Sequence, residues 1–371
     1  MKLLDKELLK SNIDKVAEYD LSENNIFGSA YIVKQKGETV YKKCFGVTDI
    51  NSTSPVKEDT IFRLASMTKP ITAVAVLILI DRGLIALEDE VKKYIPEFED
   101  IHIVTKDGTD LGKTGTDVTI KHLLTHTSGF GSIEPYSLTV EEKANISGTI
   151  NHFIKSGLDF EPNTRQEYSA FAAWDVLVAI IEKLSGEDYT EFLKKEIFEP
   201  CNMKDTTFTP SDEQWNRMIT MHNKADGKNA VGTTTPLCVF ENFPCSHKLG
   251  GAGLASTLED YSRFAQMLLN KGKTEDKRIV SEELIKLMGT PHVSEDIMPW
   301  SERWGLGVRV ITEAGDLPVG AYGWSGAYGS HFWVDPENEI TAVFMKNSKF
   351  DGGAGNKSAR RFEKAVHDSF K

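Results

Sequence analysis

Ser66 and Lys69 are the residues of this sequence whose types and spacing suggest covalent chemistry. They lie just before an apolar run at 71–80 that contains no turn residue and is typical of a buried helix. Residues three apart on a helix share a face, so the Ser66 hydroxyl and the Lys69 amine can meet. A serine becomes a strong nucleophile when a base removes its proton, and a lysine can be that base if burial lowers its pKa. The pair therefore predicts a nucleophile beside a possible base.

The Ser-x-x-Lys spacing is weak by itself, because two common residue types recur at this spacing by chance. A second copy, Ser54 and Lys57, lies in a polar stretch with Pro55 directly after the serine. No apolar helix follows this copy, so it is typical of a turn. Ser66 could also be an ordinary serine near a helix start, and the motif alone leaves both interpretations open.

The elements that must position these residues are strands near both ends of the chain and helices between them. Strand patterns, rich in β-branched and aromatic residues, occur at 29–33, 39–45, 305–311, 331–335 and 340–345. Helical patterns occur at 3–19, 71–80, 120–125, 172–184, 190–198, 256–270 and 358–370. The sequence therefore predicts an α/β (α+β) fold in which one antiparallel sheet, built from both termini, packs against helices.

We expect residues 1–82 and 256–371 to form the sheet domain and residues 83–255 to form a mostly helical domain inserted between them. A chain of 371 residues is long enough for two such lobes. Small-molecule sites often lie where domains meet, so the active site is expected in the cleft between the lobes.

Composition and charge exclude several classes of function. The hydrophobic content of 40% and the charged content of 26% are ordinary for a globular protein. The formal charge of -12 argues against nucleic acid or an anionic membrane as partner, because both would be repelled. The charged N-terminus lacks the apolar core of a secretory signal, so we expect a cytoplasmic protein. The cysteine spacings predict neither a zinc site nor a disulfide framework.

Further motifs accompany the Ser66 pair in order along the chain. They are Leu123-Leu-Thr-His126-Thr-Ser-Gly129, Phe160-Glu-Pro-Asn-Thr-Arg-Gln-Glu-Tyr168-Ser169, Gly250-Gly-Ala-Gly-Leu-Ala-Ser-Thr257 and Tyr322-Gly-Trp324-Ser325-Gly326-Ala327-Tyr328-Gly329. With Leu64-Ala-Ser66-Met-Thr-Lys69-Pro70, they resemble the serine β-lactamase and penicillin-binding protein superfamily. The likeness is closest to its class C β-lactamase-like branch and to the family VIII carboxylesterases. It extends over most of the chain.

The resemblance implies a role for each matching residue. Ser66 would accept the acyl group, Lys69 would be its proton partner, and Tyr168 would pass protons to the leaving group and activate the deacylating water. A tyrosine acts as a base only if nearby positive charge lowers its pKa, so we expect Lys69 and Tyr168 to be coupled, and which is the principal base stays open. The oxyanion hole would be the backbone N–H groups of Ser66 and Ala327. No metal ion or cofactor is implied.

Two departures from the family pattern bear on the substrate. Trp324, Ser325 and Gly326 stand at the family's Lys-Thr-Gly element, so a tryptophan replaces the lysine that binds the carboxylate of penicillins and stem peptides. A charged hydrogen bond of that kind contributes about 1.5–3 kcal/mol. Ala170 stands where β-lactamases usually carry an asparagine that binds an acylamide side chain. These four residues are the predicted substrate-binding set.

Three other features are interpreted as structural. The literal Lys-Thr-Gly copy at 113–115 precedes Tyr168, against the family order, and lies in a polar loop, so we reject it. His126 ends a predicted helix and is expected to be hydrogen-bonded rather than part of a Ser-His-Asp triad. His331, on a predicted strand, is also expected to be structural, although it could line the cleft.

The sequence thus predicts a serine hydrolase that cleaves uncharged carboxylic esters through an acyl-enzyme on Ser66. The alternative is a β-lactamase or a D-amino-acid peptidase or amidase, which would need a cationic anchor from elsewhere in the chain. A non-catalytic binding module of the same fold is a third reading, and the intact Ser66, Lys69 and Tyr168 argue against it. The expected partner is a small ester or amide, and no oligomeric state is predicted.

Overall fold

A computed structural model of the chain describes residues 1–23, 26–131, 138–222, 229–231, 239–240, 243–244, 247–349 and 356–371. Its α-helices are α1 Lys6–Ser22, α2 Thr68–Asp81, α3 Ile120–Leu124, α4 Ile146–Ser156, α5 Ala172–Ser185, α6 Tyr189–Leu193, α7 Asp212–Asn216, α8 Leu258–Leu269, α9 Glu282–Met288 and α10 Lys357–His367. Among the described residues, none of the helices has both the length and the apolar character needed to cross a bilayer.

The strands are numbered in chain order. They are β1 Gly28–Gln35, β2 Glu38–Gly46, β3 Ile61–Arg63, β4 His102–Val104, β5 Asp110–Lys113, β6 Met221–His222, β7 Asn229–Val231, β8 Val239–Phe240, β9 Phe243–Pro244, β10 Ala255–Thr257, β11 Glu302–Trp304, β12 Arg309–Ile311, β13 Tyr322–Ser325, β14 His331–Asp335 and β15 Ile340–Lys346. Strands β4 to β9 form only short two-stranded pairs.

The main sheet has seven antiparallel strands in the order β11-β12-β13-β14-β15-β1-β2. The sheet joins the two ends of the chain, because β1 pairs with β15 and Ile32 lies opposite Val343. Strands β1 and β2 are joined by Lys36 and Gly37, both at positive φ (55° and 79°), which suits the twist of a two-residue hairpin. The predicted α/β (α+β) fold, with one antiparallel sheet from both termini, is confirmed.

Helices cover both faces of this sheet. Helices α1 and α10 pack on one face, where the rings of Tyr31 and Phe344 stack 4.6 Å apart. Helix α8 packs on the other face, against β14 and β15. Beyond it lies α2, whose residues 68–79 are all buried, and which packs against α5 and α6. The apolar run predicted as a buried helix is therefore the centre of the helical layer.

Some predicted element boundaries are wrong. Of the strand predicted at 305–311, only Arg309–Ile311 (β12) is a strand, because residues 305–308 form a turn in which Gly305 N–H donates to the Val308 carbonyl at 2.9 Å; β11 lies before this turn. Helix α8 begins at Leu258 rather than at residue 256, and its cap is Thr257, whose side chain accepts the N–H of Asp260. The turn at 305–308 matters for the candidate site, because it directly follows Trp304, which lines the pocket beside Ser66.

Strands β3 and β10 form a small sheet that fixes the chain just before Ser66. Ala255 pairs with Arg63, and the N–H of Leu64 donates to the Leu254 carbonyl at 2.9 Å. This pairing ties the end of the middle segment to the start of α2. The division of the chain into 1–82 with 256–371 and 83–255 stays a prediction.

Candidate active site

Ser66 lies in a single 3-10 turn, Ala65–Met67, between β3 and α2. Ala65 has φ = 48°, a left-handed conformation that is uncommon for a residue with a side chain. Such a conformation persists where the surrounding structure holds it, and here the paired strand β3 and the buried helix α2 do so. The turn leaves Ser66 half-buried at the start of α2, where it lines a pocket.

The amine of Lys69 is fully buried against Ser66 and two backbone carbonyls. Its Nζ donates to the carbonyls of Ala170 (2.9 Å) and Gly251 (2.7 Å) and lies 3.4 Å from Ser66 Oγ. Burial lowers the pKa of Lys69 well below its ordinary value, against the opposing charge of Asp175. A neutral amine has two hydrogens and one lone pair. With both hydrogens on the carbonyls, the lone pair can accept the proton of Ser66.

Gly251 and Ala170 therefore act on Lys69 through their backbones. A Cβ at Gly251 would stand 3.0 Å from Lys69 Nζ and would collide with the Ala170 carbonyl, so only glycine leaves room for this arrangement. Ala170 does not line the pocket beside Ser66. Its predicted role in substrate binding stays a prediction.

Tyr168 follows a loop and precedes α5, as predicted, and its hydroxyl is buried beside Ser66 and Trp324. Burial raises the pKa of Tyr168 to about 12, and interactions with the Ser66 and Trp324 side chains offset only part of this. The Tyr168 ring centroid lies 4.9 Å from Lys69 Nζ. The condition under which Tyr168 would act as the base, a pKa lowered by a charged Lys69, is not met, because burial favours the neutral form of both groups. The predicted coupling of Lys69 and Tyr168 stays a prediction.

His126 hydrogen-bonds the backbone on both sides of Tyr168. Its Nδ1 accepts the backbone N–H of Ser169 at 3.0 Å, and its carbonyl accepts the N–H of Glu167 at 3.1 Å. The His126 and Tyr168 ring centroids are 4.6 Å apart. Burial lowers the pKa of His126 well below its ordinary value, so the imidazole is neutral. The predicted hydrogen-bonded, structural histidine is confirmed.

A pocket of about 510 Å³ opens beside Ser66. The predicted residues that line it are Ser66, Tyr168, Trp324, Ser325 and Ala327. Lys69, Gly326 and Ala170 lie outside its lining, Lys69 because it is buried behind Ser66. A larger hollow of about 940 Å³ elsewhere on the surface contains none of the predicted residues, so its size does not make it the better candidate.

Trp304, which was not among the predicted residues, forms part of the apolar pocket wall. Its ring centroid lies 4.5 Å from that of Trp324, 6.1 Å from Tyr168 and 4.3 Å from His126. The signal that could have identified it is an aromatic residue directly before the Gly305-Leu-Gly turn. Trp304 and Trp324, whose ring planes are inclined at 57°, together give the pocket an apolar surface suited to an uncharged acyl or aryl group.

The turn after β13 packs against the chain that precedes Ser66. The Oγ of Ser330 donates to the Leu64 carbonyl at 2.9 Å, and a Cβ at Gly326 would collide with the same carbonyl. The absence of a side chain at Gly326 thus allows close approach of Leu64, and the predicted role of Gly326 in substrate binding stays a prediction. Ala327, exposed at the tip, lines the pocket with Ser66. The assignment of the Ser66 and Ala327 N–H groups as the oxyanion hole stays a prediction.

Two arginines line the pocket, and both are ion-paired. Arg309 bonds Glu302 (3.0 Å) and Glu363 (2.8 Å), and Arg303 lies 3.6 Å from Glu295. A guanidinium already held by a carboxylate has less attraction left for a substrate carboxylate. Arg309, which is bonded by two carboxylates, is therefore not an open counterpart of the family's missing lysine, and Arg303 is the more loosely paired of the two arginines.

The literal Lys-Thr-Gly copy lies away from this pocket. Lys113 ends strand β5, so the expectation that it lies in a loop without strand character is wrong. Its amine lies 3.2 Å from both Glu99 and Asp100. Lys113 is thus an exposed surface residue held by acidic neighbours, which agrees with its rejection as a site element.

Comparison with known proteins places this geometry in a family. The profile of the beta-lactamase family matches residues 10–365. Esterase EstB from Burkholderia gladioli is 28% identical over 386 residues, which cover 95% of this chain and 94% of that protein.

Two solved structures share the fold. EstCE1, described as a hydrolase with promiscuous acyltransferase activity, has a TM-score of 0.81 at 22% identity and covers 98% of this chain and 99% of its own. A family VIII carboxylesterase has a TM-score of 0.75 at 18% identity, with 97% of each chain covered. The resemblance read from the ordered motifs is confirmed, and the chain belongs to the beta-lactamase family.

Proposed function

We propose that this chain is a serine hydrolase that cleaves uncharged carboxylic esters through an acyl-enzyme on Ser66. The observation that carries the proposal is the buried amine of Lys69. Its hydrogens are directed to the Ala170 and Gly251 carbonyls, and Ser66 Oγ lies 3.4 Å from the same nitrogen. The esterase named among its relatives supports the same activity.

In the acylation step, Oγ of Ser66 attacks the ester carbonyl and its proton passes to Lys69 Nζ. The N–H groups of Ser66 and Ala327 bind the oxygen that becomes negative, and one such donor contributes about 2.7–4 kcal/mol in other serine hydrolases. Tyr168, a phenol with a raised pKa, donates its proton to the leaving alkoxide and regains one from Lys69. The step ends with a neutral lysine, a released alcohol and an ester on Ser66.

Deacylation runs through the same groups in reverse. Water takes the place of the leaving alcohol near Tyr168 and attacks the acyl carbonyl, and its proton passes by way of Tyr168 to Lys69. Collapse of the tetrahedral intermediate returns the proton to Ser66 Oγ and frees the acid. Lys69 is the principal base in this scheme, because burial lowers its pKa and raises that of Tyr168.

The pocket walls support an uncharged, small-molecule ester over a β-lactam or a D-amino-acid peptide. Trp324 and Trp304 supply an apolar surface where the family's lysine would supply charge. The nearby arginines are already paired with carboxylates. A substrate carboxylate would thus lose its water shell without gaining a free cation.

The test compares four substrates: 4-nitrophenyl acetate, 4-nitrophenyl butyrate, nitrocefin and a D-Ala-D-Ala peptide. The esters are expected to have the highest kcat/KM. Ser66→Ala should abolish their turnover, and a 4-nitrophenyl phosphonate should label the wild-type enzyme at Ser66 by peptide mass spectrometry. Ser54→Ala is the matched control, because Ser54 belongs to the exposed second Ser-x-x-Lys copy.

Two results would contradict the proposal. Faster turnover of nitrocefin or of the peptide than of the esters would make the chain a β-lactamase or a peptidase. Full ester turnover by Ser66→Ala would remove Ser66 as the nucleophile.

A further inference from the structure

A line of hydrogen bonds leads from the pocket to helix α10. Oγ of Ser325 and Nδ1 of His331 are 2.7 Å apart, and Nε2 of His331 lies 3.0 Å from Oε1 of Glu363. Ser325 lines the pocket, while the side chains of His331 and Glu363 are each 1% exposed. None of the three takes part in the proton transfers proposed above.

The charges around Glu363 fix the direction of these bonds. Arg309 donates to its Oε1 at 2.8 Å and Arg360 to its Oε2 at 2.9 Å. Although burial alone would raise it, the pKa of Glu363 is held well below its usual range by His331 and by these two guanidinium groups. An ionised carboxylate only accepts hydrogen bonds, so Nε2 of His331 must carry the hydrogen that it donates to Glu363.

This tautomer determines what Ser325 can do. Burial lowers the pKa of His331, so the imidazole is neutral and its Nδ1 has a lone pair and no hydrogen. The Ser325 hydroxyl therefore donates its single hydrogen to His331. Toward the pocket, Ser325 offers only oxygen lone pairs, as a hydrogen-bond acceptor.

The charged neighbours at this end of the pocket reinforce that polarity. The Glu302 carboxylate lines the pocket and is 22% exposed. Arg309 directs Nη1 to Glu302 and Nη2 to Glu363, and its Nε is shielded from solvent. The two arginines and two glutamates of this network, which includes Arg360, balance in charge. Ser325 and Glu302 therefore present oxygen atoms that accept hydrogen bonds, beside Arg309, whose terminal nitrogens bond carboxylates, and Arg303, which lies 3.6 Å from Glu295.

We propose that the Ser325 end of the pocket selects uncharged esters that present a hydrogen-bond donor there, such as a hydroxyl group, and that His331 enforces this by holding the Ser325 hydrogen. The inference rests on the proposed esterase function and names the substrate class within it. A carboxylate at the same place would face the lone pairs of Ser325 and the charge of Glu302, so it is rejected.

The experiment uses two substrate series, one varied on the alcohol side and one on the acyl side. The first is 4-methylphenyl, 4-(hydroxymethyl)phenyl and 4-carboxyphenyl acetate. The second is 4-nitrophenyl butyrate, 4-nitrophenyl 3-hydroxybutyrate and mono-4-nitrophenyl glutarate. Within each series, the kcat/KM for the hydroxyl and carboxyl substrates is divided by that for the apolar one. Comparing these ratios between wild type and variants cancels the intrinsic reactivity of each ester.

Ser325→Ala removes the acceptor, so the ratio for the hydroxyl substrate should fall about fivefold, as for loss of one neutral hydrogen bond, with no gain for the carboxylate. His331→Phe keeps a ring of similar size but frees the Ser325 hydrogen to face the pocket. The ratio for the carboxylate should then rise about tenfold. The double variant should lose that rise, which separates a Ser325 effect from a general change in the pocket.

The matched controls are Ser262→Ala on α8 and His367→Phe on α10, neither of which lines the pocket. Both should leave all ratios unchanged. Ser325→Ala is the deciding variant if His331→Phe does not fold, because it removes one small atom.

The inference is overturned if the wild type prefers the carboxylate, or if Ser325→Ala leaves the hydroxyl ratio unchanged in both series. If ester turnover depends on Ser66 while the ratios do not move, only this inference falls. If the wild type hydrolyses no ester, or Ser66→Ala is fully active, the proposed function falls and this inference falls with it.

Discussion

The two walls of the pocket treat buried charge in opposite ways. On the α2 wall, Lys69 is buried among backbone carbonyls, and burial lowers its pKa. On the opposite wall, Arg309 of strand β12 is also buried, yet Glu302 and Glu363 bond both of its terminal nitrogens. The first group reduces the cost of burial by losing its proton, and the second by ion pairing.

The difference explains why one wall can react and the other can select. A neutral amine next to a serine has a lone pair with which to accept a proton. A guanidinium locked between two carboxylates has no such freedom, but it fixes Glu363 and, through His331, the orientation of the Ser325 hydroxyl. Similar burial therefore produces a base on one side and a fixed hydrogen-bonding frame on the other.

The largest expected effect comes from removing the base. Lys69→Met keeps an apolar chain of similar length but has no amine, so kcat/KM for 4-nitrophenyl acetate should fall about 10⁴-fold, the upper range for general-base catalysis. Stopped assays with purified protein measure this loss, and circular dichroism confirms that the fold is kept. Lys57→Met, in the exposed second motif, is the control and should be fully active. A Lys69→Met enzyme with more than a tenth of the wild-type activity would mean that another group takes the Ser66 proton.

On the opposite wall the expected loss is of stability. Arg309→Met leaves Glu363 buried with one cationic partner fewer and Glu302 without its 3.0 Å bond, and breaking such a buried pair costs about 3–5 kcal/mol. Urea unfolding followed by tryptophan fluorescence measures the change. Arg303→Met should cost far less, because Arg303 is partly exposed and its partner is 3.6 Å away. Equal losses of unfolding free energy for the two variants would show that the buried ion pairs of Arg309 stabilise the fold no more than the exposed pair of Arg303.

Trp324→Lys restores the lysine that the family's Lys-Thr-Gly element carries at this position. A cation in this apolar lining should lower KM for mono-4-nitrophenyl glutarate about tenfold relative to 4-nitrophenyl butyrate, as expected for one charged hydrogen bond. Trp324→Leu is the uncharged control, since it opens the same space without charge. If KM for the glutarate ester is the same in both variants, Trp324 does not stand in for the family's lysine.

The smallest expected effect is a shift in the pH dependence of kcat/KM, which tests the origin of the Lys69 pKa. Catalysis needs the neutral amine, so kcat/KM should rise with pH through the lowered pKa of Lys69. Asp175 raises that pKa, so Asp175→Asn should move the rising limb to lower pH. Glu187→Gln, which removes a partly exposed charge just after α5, is the control. A shift toward higher pH would contradict the stated role of Asp175.

Local patterns in the sequence predicted much of the molecule. The fold class, the buried helix after Ser66 and the contact between Ser66 and Lys69 follow from spacing, because residues three apart on a helix are neighbours whatever surrounds them. The family followed from ordered motifs. The predictions that failed at 305–308 and at the start of α8 concern element boundaries, where a shift of one residue changes little in the pattern. The loop predicted at 113–115 begins inside the short strand β5, whose polar residues give no strand pattern.

Sequence alone thus determined which groups could react and on which elements they lie. Only the tertiary structure decided the state of those groups. The carbonyls that hold Lys69 come from Ala170 and Gly251, about a hundred and nearly two hundred residues away in sequence. Likewise, Ser325 meets Glu363 only through His331, across the sheet and α10. A pKa or a tautomer depends on burial and on partners brought together by folding, and no spacing along the chain records either.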